Sequence, residues 1–190
     1  MSGRHSEESR FEYKRVMIDI ETMGLSPDAA ITSIGAVVFD VYTGFVLEEF
    51  SVNVELKSCQ DIGLSCDAET IEFWNRPENL DAYVAMSRDT VPITKALHEF
   101  SNWLLQDTRI GNVEVWANGV SFDLAVLRTA YLRTGVEMPW RFYNERDYRT
   151  MKNLYRDVPK PSFDGIRHLA VDDARYQAEH LLRILAAVDA

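Results

Sequence analysis

A short apolar run that ends in two acids, Val-Met-Ile-Asp-Ile-Glu at residues 16–21, constrains this chain more than any other stretch. Its first three residues are apolar on both faces of a strand, as in the central strand of a sheet. Side chains two apart on a strand point the same way, so Asp19 and Glu21 place two carboxylates on one face. Two interpretations stay open: the strand runs out into solvent, or the acids are half of a metal site.

The order of elements predicts an α/β fold in which an antiparallel meander is followed by β/α units. Alternation and turn residues predict strands at 16–21, 31–39, 46–54 and 113–116, and a short fifth strand near 140–143. Helices are expected from a cap at Asp67 to Trp74, at 79–86, at 92–106, from a cap at Ser121 to Gly135, at 147–155 and at 172–188. Residues 57–66 and 157–165 are expected to be irregular. We expect a loose polar tail at residues 1–12 and one domain at residues 13–190.

The composition excludes several classes of protein. The chain has 190 residues, of which 46% are hydrophobic and 26% are charged, values typical of a soluble globular protein. No apolar run approaches the roughly 18 residues needed to cross a bilayer, so we expect no membrane partner. The two cysteines have no histidine or second cysteine pair nearby, which argues against a zinc site. With no signal peptide in the sequence, we expect a cytoplasmic location.

The formal net charge of −10 argues against a large phosphate-binding surface, because such surfaces are usually basic. It permits a small footprint in which bound cations hold the phosphates, since metal ions reverse the local charge. The acidic balance therefore favours a short or single-stranded nucleic acid over a long duplex.

Four further polar residues stand at or just before predicted helix starts. Asp123 follows the fourth strand, and His168 precedes the pair Asp172 and Asp173 at the start of the last helix. Acids at helix N-termini are often only caps or dipole partners, and taken singly these residues favour that structural interpretation. Their order and spacing relative to Asp19 and Glu21 favour a common site.

Together these residues resemble the three motifs of the DEDD exonuclease superfamily. Asp-x-Glu ends a buried strand, Phe-Asp opens a helix, and His-x-x-x-x-Asp opens the last helix. Leu169 stands where the tyrosine branch has Tyr, so the resemblance is to the histidine branch, DEDDh. Stretches at 70–74, 143–150 and 170–174 make the chain most similar to the DexA-like phage exonucleases and the related small bacterial 3′–5′ exoribonucleases. The resemblance implies a ribonuclease H-like fold.

The resemblance also implies a reaction: metal-dependent hydrolysis of single-stranded nucleic acid from its 3′ end to 5′-mononucleotides. The implied ligands of two divalent ions, Mg²⁺ or Mn²⁺, are Asp19, Glu21, Asp123 and Asp173, because oxygen donors suit these ions. His168 would be the general base, since an imidazole titrates near neutral pH. We expect RNA to be favoured and DNA to be possible, and a homodimer is plausible because relatives often form one.

Contacts to the substrate are predicted around the first two motifs. Thr22, Met23 and Gly24 follow the first acids and would hold the terminal nucleotide, with Gly24 allowing close approach. Aromatic faces and cations would contact bases and phosphates, at Trp74, Phe122 and Arg146. Core packing for Trp74, and pairing of Arg146 and Arg149 with acids, remain open alternatives.

Two other functions are compatible with the same motifs. One is a non-catalytic module that binds nucleic acid or protein on a ribonuclease H-like fold. The other is an endonuclease of the ribonuclease H type, which uses related carboxylates. The complete set of four acids and one histidine argues against the first, and the His-x-x-x-x-Asp ending argues against the second.

Overall fold

The computed structural model describes residues 13–188, and at its centre lies a mixed five-stranded sheet. The strands are β1 (Lys14–Thr22), β2 (Ile31–Asp40), β3 (Phe45–Asn53), β4 (Val113–Ala117) and β5 (Glu145–Asp147). Their order across the sheet is β3-β2-β1-β4-β5. The β3–β2 and β2–β1 pairs are antiparallel, and the β1–β4 and β4–β5 pairs are parallel. The acid-ended run is thus part of the central strand, as the sequence predicts.

Helices cover both faces of this sheet. They are α1 (Leu56–Asp61), α2 (Ala68–Trp74), α3 (Leu80–Met86), α4 (Ile93–Leu105), α5 (Asp123–Thr134), α6 (Tyr148–Leu154) and α7 (Ala170–Val188). Gly135 ends α5 in the left-handed conformation, with φ of 73°, so this helix stops where the sequence predicts. Within residues 13–188 no helix is both long and apolar enough to span a membrane.

The alternation of β1 separates two hydrophobic cores. Val16, Ile18 and Ile20 belong to the core that packs against α4 and α5. Met17 belongs to the other core, which packs against α7 and Tyr148 of α6. Because the acids of β1 share the parity of Met17, they lie on the α7 face of the sheet. The period of two in the sequence therefore fixes the face on which a site can form.

A glycine in β2 brings α7 close to that face. Gly35 is the partner of Asp19 in the β1–β2 register. A Cβ atom at this position would overlap the peptide between Ala170 and Val171 at the start of α7. The absence of a side chain at Gly35 therefore allows the first turn of α7 to rest on the sheet beside Asp19.

Two predicted elements are placed differently. The fifth strand is Glu145–Asp147 instead of 140–143, because Trp140 is buried in the core and Phe142–Asn144 form a 3-10 turn. Part of the stretch predicted to be irregular is the short helix α1, which packs the buried Cys59 against Ile31.

The two predicted helix caps have different outcomes: the position of Asp67 is confirmed, and Ser121 is wrong. Ser121 does not cap α5, because this helix begins after Phe122 and has no side-chain cap. Asp67 lies at the N-cap position of α2, but its carboxylate accepts a hydrogen bond from the backbone of Leu25 instead. The predicted tail, residues 1–12, lies outside the described residues.

Candidate active site

The site begins at the end of β1, where Asp19 and Glu21 lie half-buried on the α7 face. Oδ1 of Asp19 accepts a hydrogen bond of 2.7 Å from Nε2 of Gln177 in α7. Glu21 is paired in register with Ser33 of β2. Asp19 is therefore held by the last helix, and Glu21 lies beside Ser33 of β2.

The second element is the start of α5. Strands β1 and β4 are parallel and pair as far as Ile18 and Ala117, so the chain leaves both strands at the same edge of the sheet. Asp123 follows this exit as the first residue of α5, and only 4% of its surface is exposed. This topology brings a third carboxylate to the acids of β1.

The third element is the loop before α7, which carries His168. The backbone of His168 is left-handed, with φ of 63°, a conformation that non-glycine residues rarely adopt. Its backbone N–H donates a 2.7 Å hydrogen bond to Oδ2 of Asp173. The predicted base and the last predicted acid are thus joined by a direct hydrogen bond.

The preceding acid holds the same loop from its other end. Oδ2 of Asp172 accepts a 2.9 Å hydrogen bond from the backbone N–H of Ile166, and Oδ1 accepts one of 2.8 Å from Arg175. Arg175 also forms a bidentate pair with Glu49 of β3. The two neighbouring acids therefore have different contacts. Asp172 connects the loop to the sheet through Arg175, whereas Asp173 faces the other acids.

Burial and mutual repulsion make the ionised form of these acids costly. Burial, followed by repulsion from Asp123 and Asp173, raises the pKa of Asp19 well above its usual range. The same effects raise the pKa of Glu21, and burial raises the pKa of Asp173. Burial also raises the pKa of Asp123 to about 7, although backbone N–H groups and Arg149 oppose this shift. The charges of the four acids therefore act on one another.

The donor set fits divalent cations. Glu21, His168 and Asp173 each offer a ligand atom, and these atoms lie within 4.8 Å of one another. Among the described residues, the buried side-chain polar atoms without a hydrogen bond are Ser33 Oγ and Gln177 Oε1. Both residues adjoin the acids of β1, where a hydrated cation can satisfy them. Clustered carboxylate oxygens suit Mg²⁺ or Mn²⁺ better than softer metals.

A cleft of about 370 Å³ opens beside these groups. Its wall includes Glu21 and His168 from the site, and the aromatic rings of Phe73 and Phe122. The His168 ring lies edge-on to Phe73, with 5.3 Å between ring centroids. An apolar cleft with a polar end is suited to a nucleoside whose phosphate reaches the acids.

Three of the predicted substrate contacts in the first motif are buried. Thr22 is 6% exposed and its hydroxyl donates to the carbonyl of Gly24, while Met23 is 4% exposed and packs in the core. Gly24 leaves room for Asp67, whose Oδ2 would lie 3.0 Å from a Cβ atom there. Thr22 lines the cleft, whereas Met23 and Gly24 support its wall.

The other predicted contacts differ in accessibility. Trp74 is 2% exposed, and its indole N–H donates a 2.9 Å hydrogen bond to the carbonyl of Thr22. Its ring is therefore packed in the core. Phe122 is half-exposed in the cleft wall. Arg146 lies outside this wall, and its guanidinium pairs with Glu114 at 3.4 Å. A contact between Arg146 and phosphate stays a prediction.

Sequence reasoning missed three residues of the site. Leu25 is 74% exposed and lines the cleft, and its position directly after the first motif was the available signal. Gln177 and Gly35 had no such signal, because their importance comes from contacts between distant parts of the chain.

The sheet is mixed, its acids lie at the end of the central strand, and a histidine lies on the loop opposite. The chain thus has the ribonuclease H-like fold that is also found in a DEDDh nuclease. The chain belongs to the 3′-5′ exoribonuclease Rv2179c-like domain family, whose model matches residues 14–185. It is therefore a 3′–5′ exonuclease that acts on nucleic acid.

Individual relatives agree with this assignment. The exodeoxyribonuclease of Enterobacteria phage T4 is 26% identical over 188 residues, covering 83% of this chain and 82% of the phage protein. The nuclease domain of 3′hExo, a DEDDh family member bound to rAMP, superposes with a TM-score of 0.64 at 16% identity, covering 94% of each chain. Exonuclease X, in complex with 5′ overhanging duplex DNA, gives 0.59 at 20% identity and covers 93% of each. The two structures establish the common fold.

Proposed function

We propose that this protein hydrolyses single-stranded nucleic acid, RNA in preference to DNA, from a free 3′ end and releases 5′-mononucleotides. The observation that carries the proposal is the cluster of Glu21, His168 and Asp173, whose ligand atoms lie within 4.8 Å of one another beside the cleft. The charges of Asp19 and Asp123 act on the acids of this cluster. The preference for RNA is supported by the exoribonuclease description of the family.

Two divalent cations, Mg²⁺ or Mn²⁺, would be held by the four carboxylates: Asp19, Glu21, Asp123 and Asp173. When bound, such ions stabilise the negative charge that develops on the entering and leaving oxygens of the phosphodiester. The side chains contribute a fixed arrangement, since Asp19 is held by Gln177 and Asp173 by the backbone of His168.

His168 is proposed as the general base that takes a proton from the attacking water. Its ring lies against the edge of Phe73 and against Trp74, with ring centroids 5.3 and 6.1 Å from its own. Its backbone is fixed by Asp173. A base held on both sides keeps its orientation while substrate exchanges.

The cleft is proposed to hold the terminal nucleoside. Phe73, Phe122 and Leu25 offer accessible apolar surface, and stacking on such rings tolerates any base. Thr22 would lie beside the sugar, since it is the first cleft residue after Glu21. We propose an indirect role for Met23, Gly24 and Trp74, which would hold the backbone of the first motif in place without contacting the nucleoside.

The proposal is tested with 5′-labelled single-stranded RNA and DNA of identical sequence, incubated with Mg²⁺, Mn²⁺ or EDTA. A metal-dependent ladder that shortens from the 3′ end, and is missing with the Asp123→Ala protein, is the expected result. The faster of the two substrates decides between RNA and DNA.

Other products would favour the alternatives. Internal cuts that give mixed oligomers would indicate an endonuclease, and intact but bound strands would indicate a binding module. Sedimentation of the wild-type protein tests the proposed homodimer, for which the edge strand β3, with Phe45 and Leu47 exposed, is an available surface.

A further inference from the structure

Two cations of α6 converge on one asparagine near the site. Nη2 of Arg149 donates a 2.7 Å hydrogen bond to the backbone carbonyl of Asn118, and Nζ of Lys152 donates one of 2.8 Å to its Oδ1. Asn118 belongs to the connection between β4 and α5. Arg149 is exposed and Lys152 is half-buried, so both remain accessible to a ligand.

Neither cation of this pair forms a salt bridge within residues 13–188, although the charge of Asp147 acts on both of them. Arg15, Arg128, Arg146 and Arg175 each form an ion pair with a carboxylate. By contrast, no carboxylate of residues 13–188 comes within 4.0 Å of the cationic nitrogens of Arg149 or Lys152. In a chain with a net charge of −10, two neighbouring unpaired cations form a local site for an anion.

The pair lies beside the catalytic acids. The connection that it holds leads within five residues from Asn118 to Asp123. Gly119 has φ of 117°, and a Cβ atom there would come 3.0 Å from Nη2 of Arg149, so the guanidinium rests directly on this connection. Arg149 also lowers the pKa of Asp123, which means that its charge is felt at the site.

The cleft and this pair are built from different elements. The cleft is lined by the end of β1, α2, Phe122 and the loop of His168, and no residue of α6 contributes to it. The acids adjoin both features, since Glu21 lines the cleft and Asp123 feels the charge of Arg149. A nucleic-acid strand whose last nucleoside fills the cleft must therefore continue from the acids over a different part of the protein surface.

We infer that Arg149 and Lys152 bind a backbone phosphate of the substrate strand upstream of the scissile bond. The inference rests on the proposed function and adds a requirement for length. Arg149 offers a planar fork for two phosphate oxygens and Lys152 a single mobile charge. A substrate too short to carry a second phosphate gains nothing from this pair.

The test compares two substrates with the variants Arg149→Met and Lys152→Met. One substrate is a single-stranded oligonucleotide, and the other is the p-nitrophenyl ester of thymidine 5′-phosphate, which has no upstream phosphate. Lys95→Met is the matched control, because it removes the same charge from α4, where Lys95 pairs with Glu99.

Each variant is expected to raise KM for the oligonucleotide about tenfold and to change kcat by less than about twofold. The dependence of log KM on log salt should lose about 0.7 in slope for each lost phosphate contact. Hydrolysis of the ester should be unchanged in Lys152→Met, and in Arg149→Met it should fall less than hydrolysis of the oligonucleotide, because Arg149 also acts on Asp123. Arg149→Lys keeps the charge and should recover part of the loss.

An equal loss on both substrates would overturn the inference, because it would mean that the pair only supports the Asn118 connection. An unchanged KM for the oligonucleotide would overturn it as well. Binding of a fluorescent oligonucleotide to the Asp123→Ala protein, with and without each substitution, is measured by anisotropy in parallel. This titration decides the phosphate contact even if the wild-type protein cleaves neither substrate, a result that would overturn the proposed function.

Discussion

Asp123 shows how a residue that is placed for function can lower the stability of the metal-free protein. Its carboxylate is buried at the start of α5, and burial raises its pKa to about 7. The other acids of the site, Asp19 and Glu21, feel its charge. Removing this side chain should therefore relieve repulsion while it removes a predicted cation ligand.

We predict that Asp123→Ala abolishes cleavage and leaves the protein folded. Cleavage is measured with a labelled oligonucleotide, and folding by thermal unfolding of the metal-free protein, whose Tm should not fall. Global unfolding of the variant, or cleavage at the wild-type rate, would contradict the role assigned to Asp123.

For His168→Ala, we expect the rate of cleavage to fall by about 10²–10⁴-fold, as for the loss of a general base. Affinity for Mn²⁺, measured by calorimetry, should remain close to that of the wild type. Because His168 lies within ligand distance of Glu21 and Asp173, a parallel loss of Mn²⁺ affinity would identify it as a metal ligand instead.

Gln177→Leu should lower Mn²⁺ affinity by roughly 10–100-fold, because residues that orient a metal ligand typically contribute that much. The amide of Gln177 holds Oδ1 of Asp19, and leucine has similar volume without a donor. Gln60→Leu, at an exposed position of α1, is the control. Unchanged affinity in Gln177→Leu would show that Asp19 needs no such support.

At the residue scale, the predicted site follows from local patterns. The spacing of Asp19 and Glu21 on a strand, and of His168 and Asp173 across one helix start, is visible in the sequence. Gln177 could not be found this way, because it lies 158 positions from the acid it contacts. The exposure of a side chain is equally hidden in the sequence. Met23 and Trp74 were predicted to contact substrate, with core packing left open for Trp74; the structure buries both side chains, although Trp74 also borders the cleft.

Among the elements, α7 contributes most to the site, because it carries Asp173 and Gln177 and anchors the loop of His168. Its approach to the sheet depends on Gly35 in β2. The pair of Arg175 with Glu49 joins the same helix to β3. The position of α7 is therefore set by contacts with both β2 and β3.

Gly35→Ala should displace the start of α7 and destabilise the protein by at least about 2 kcal/mol, because a Cβ atom there overlaps backbone that cannot rotate away. Mn²⁺ affinity should fall with it. Gly111→Ala is the matched control, since a Cβ atom at Gly111 meets nothing within 4 Å. Chemical denaturation measures both variants, and equal stabilities would refute the close packing of α7.

The elements predicted most accurately from the sequence are those with a long periodic pattern or with a residue that ends a helix, such as glycine. The central strand, α4, α7 and the end of α5 at Gly135 agree with expectation within a few residues. The fifth strand was misplaced because it has only three residues and follows a core aromatic, Trp140. Short elements depend on tertiary pairing more than on their own pattern.

For the molecule as a whole, the stability of the metal-free protein should depend on pH through the site. Asp19, Glu21, Asp123 and Asp173 have raised pKa values, so the folded state keeps protons that the unfolded chain has lost. Their stabilising contribution is complete below about pH 4, the unfolded range for carboxyl groups, and is lost as the pH rises through the folded values, which for Asp123 is about 7.

We therefore expect the Tm of the metal-free protein to fall between about pH 5 and about pH 8, and to fall less in Asp123→Asn. Comparing the two proteins cancels the contribution of groups outside the site, such as His180, whose pKa burial lowers. Added Mg²⁺ should remove most of the fall, because it binds the ionised acids. A wild-type profile identical to that of Asp123→Asn would contradict the coupling.

The overall architecture was predictable because hydrophobic periodicity and element order leave few ways to arrange a meander followed by β/α units. The face of the sheet that carries the acids was also predictable, because Asp19 and Glu21 alternate with the apolar Ile18 and Ile20. The proposed roles of the cleft and of the two cations of α6 were not predictable from the sequence. They depend on which charged side chains form ion pairs in the folded protein, and the sequence does not show those pairs.

The position of α7 in the chain also has a consequence for when the enzyme becomes active. Asp19 is synthesised early, but Asp173 and Gln177 are among the last described residues, and the site closes only when α7 docks on β2. Pairing over such a sequence separation forms late in folding. We therefore expect a nascent or partly unfolded chain to be inactive as a nuclease until its final helix is in place.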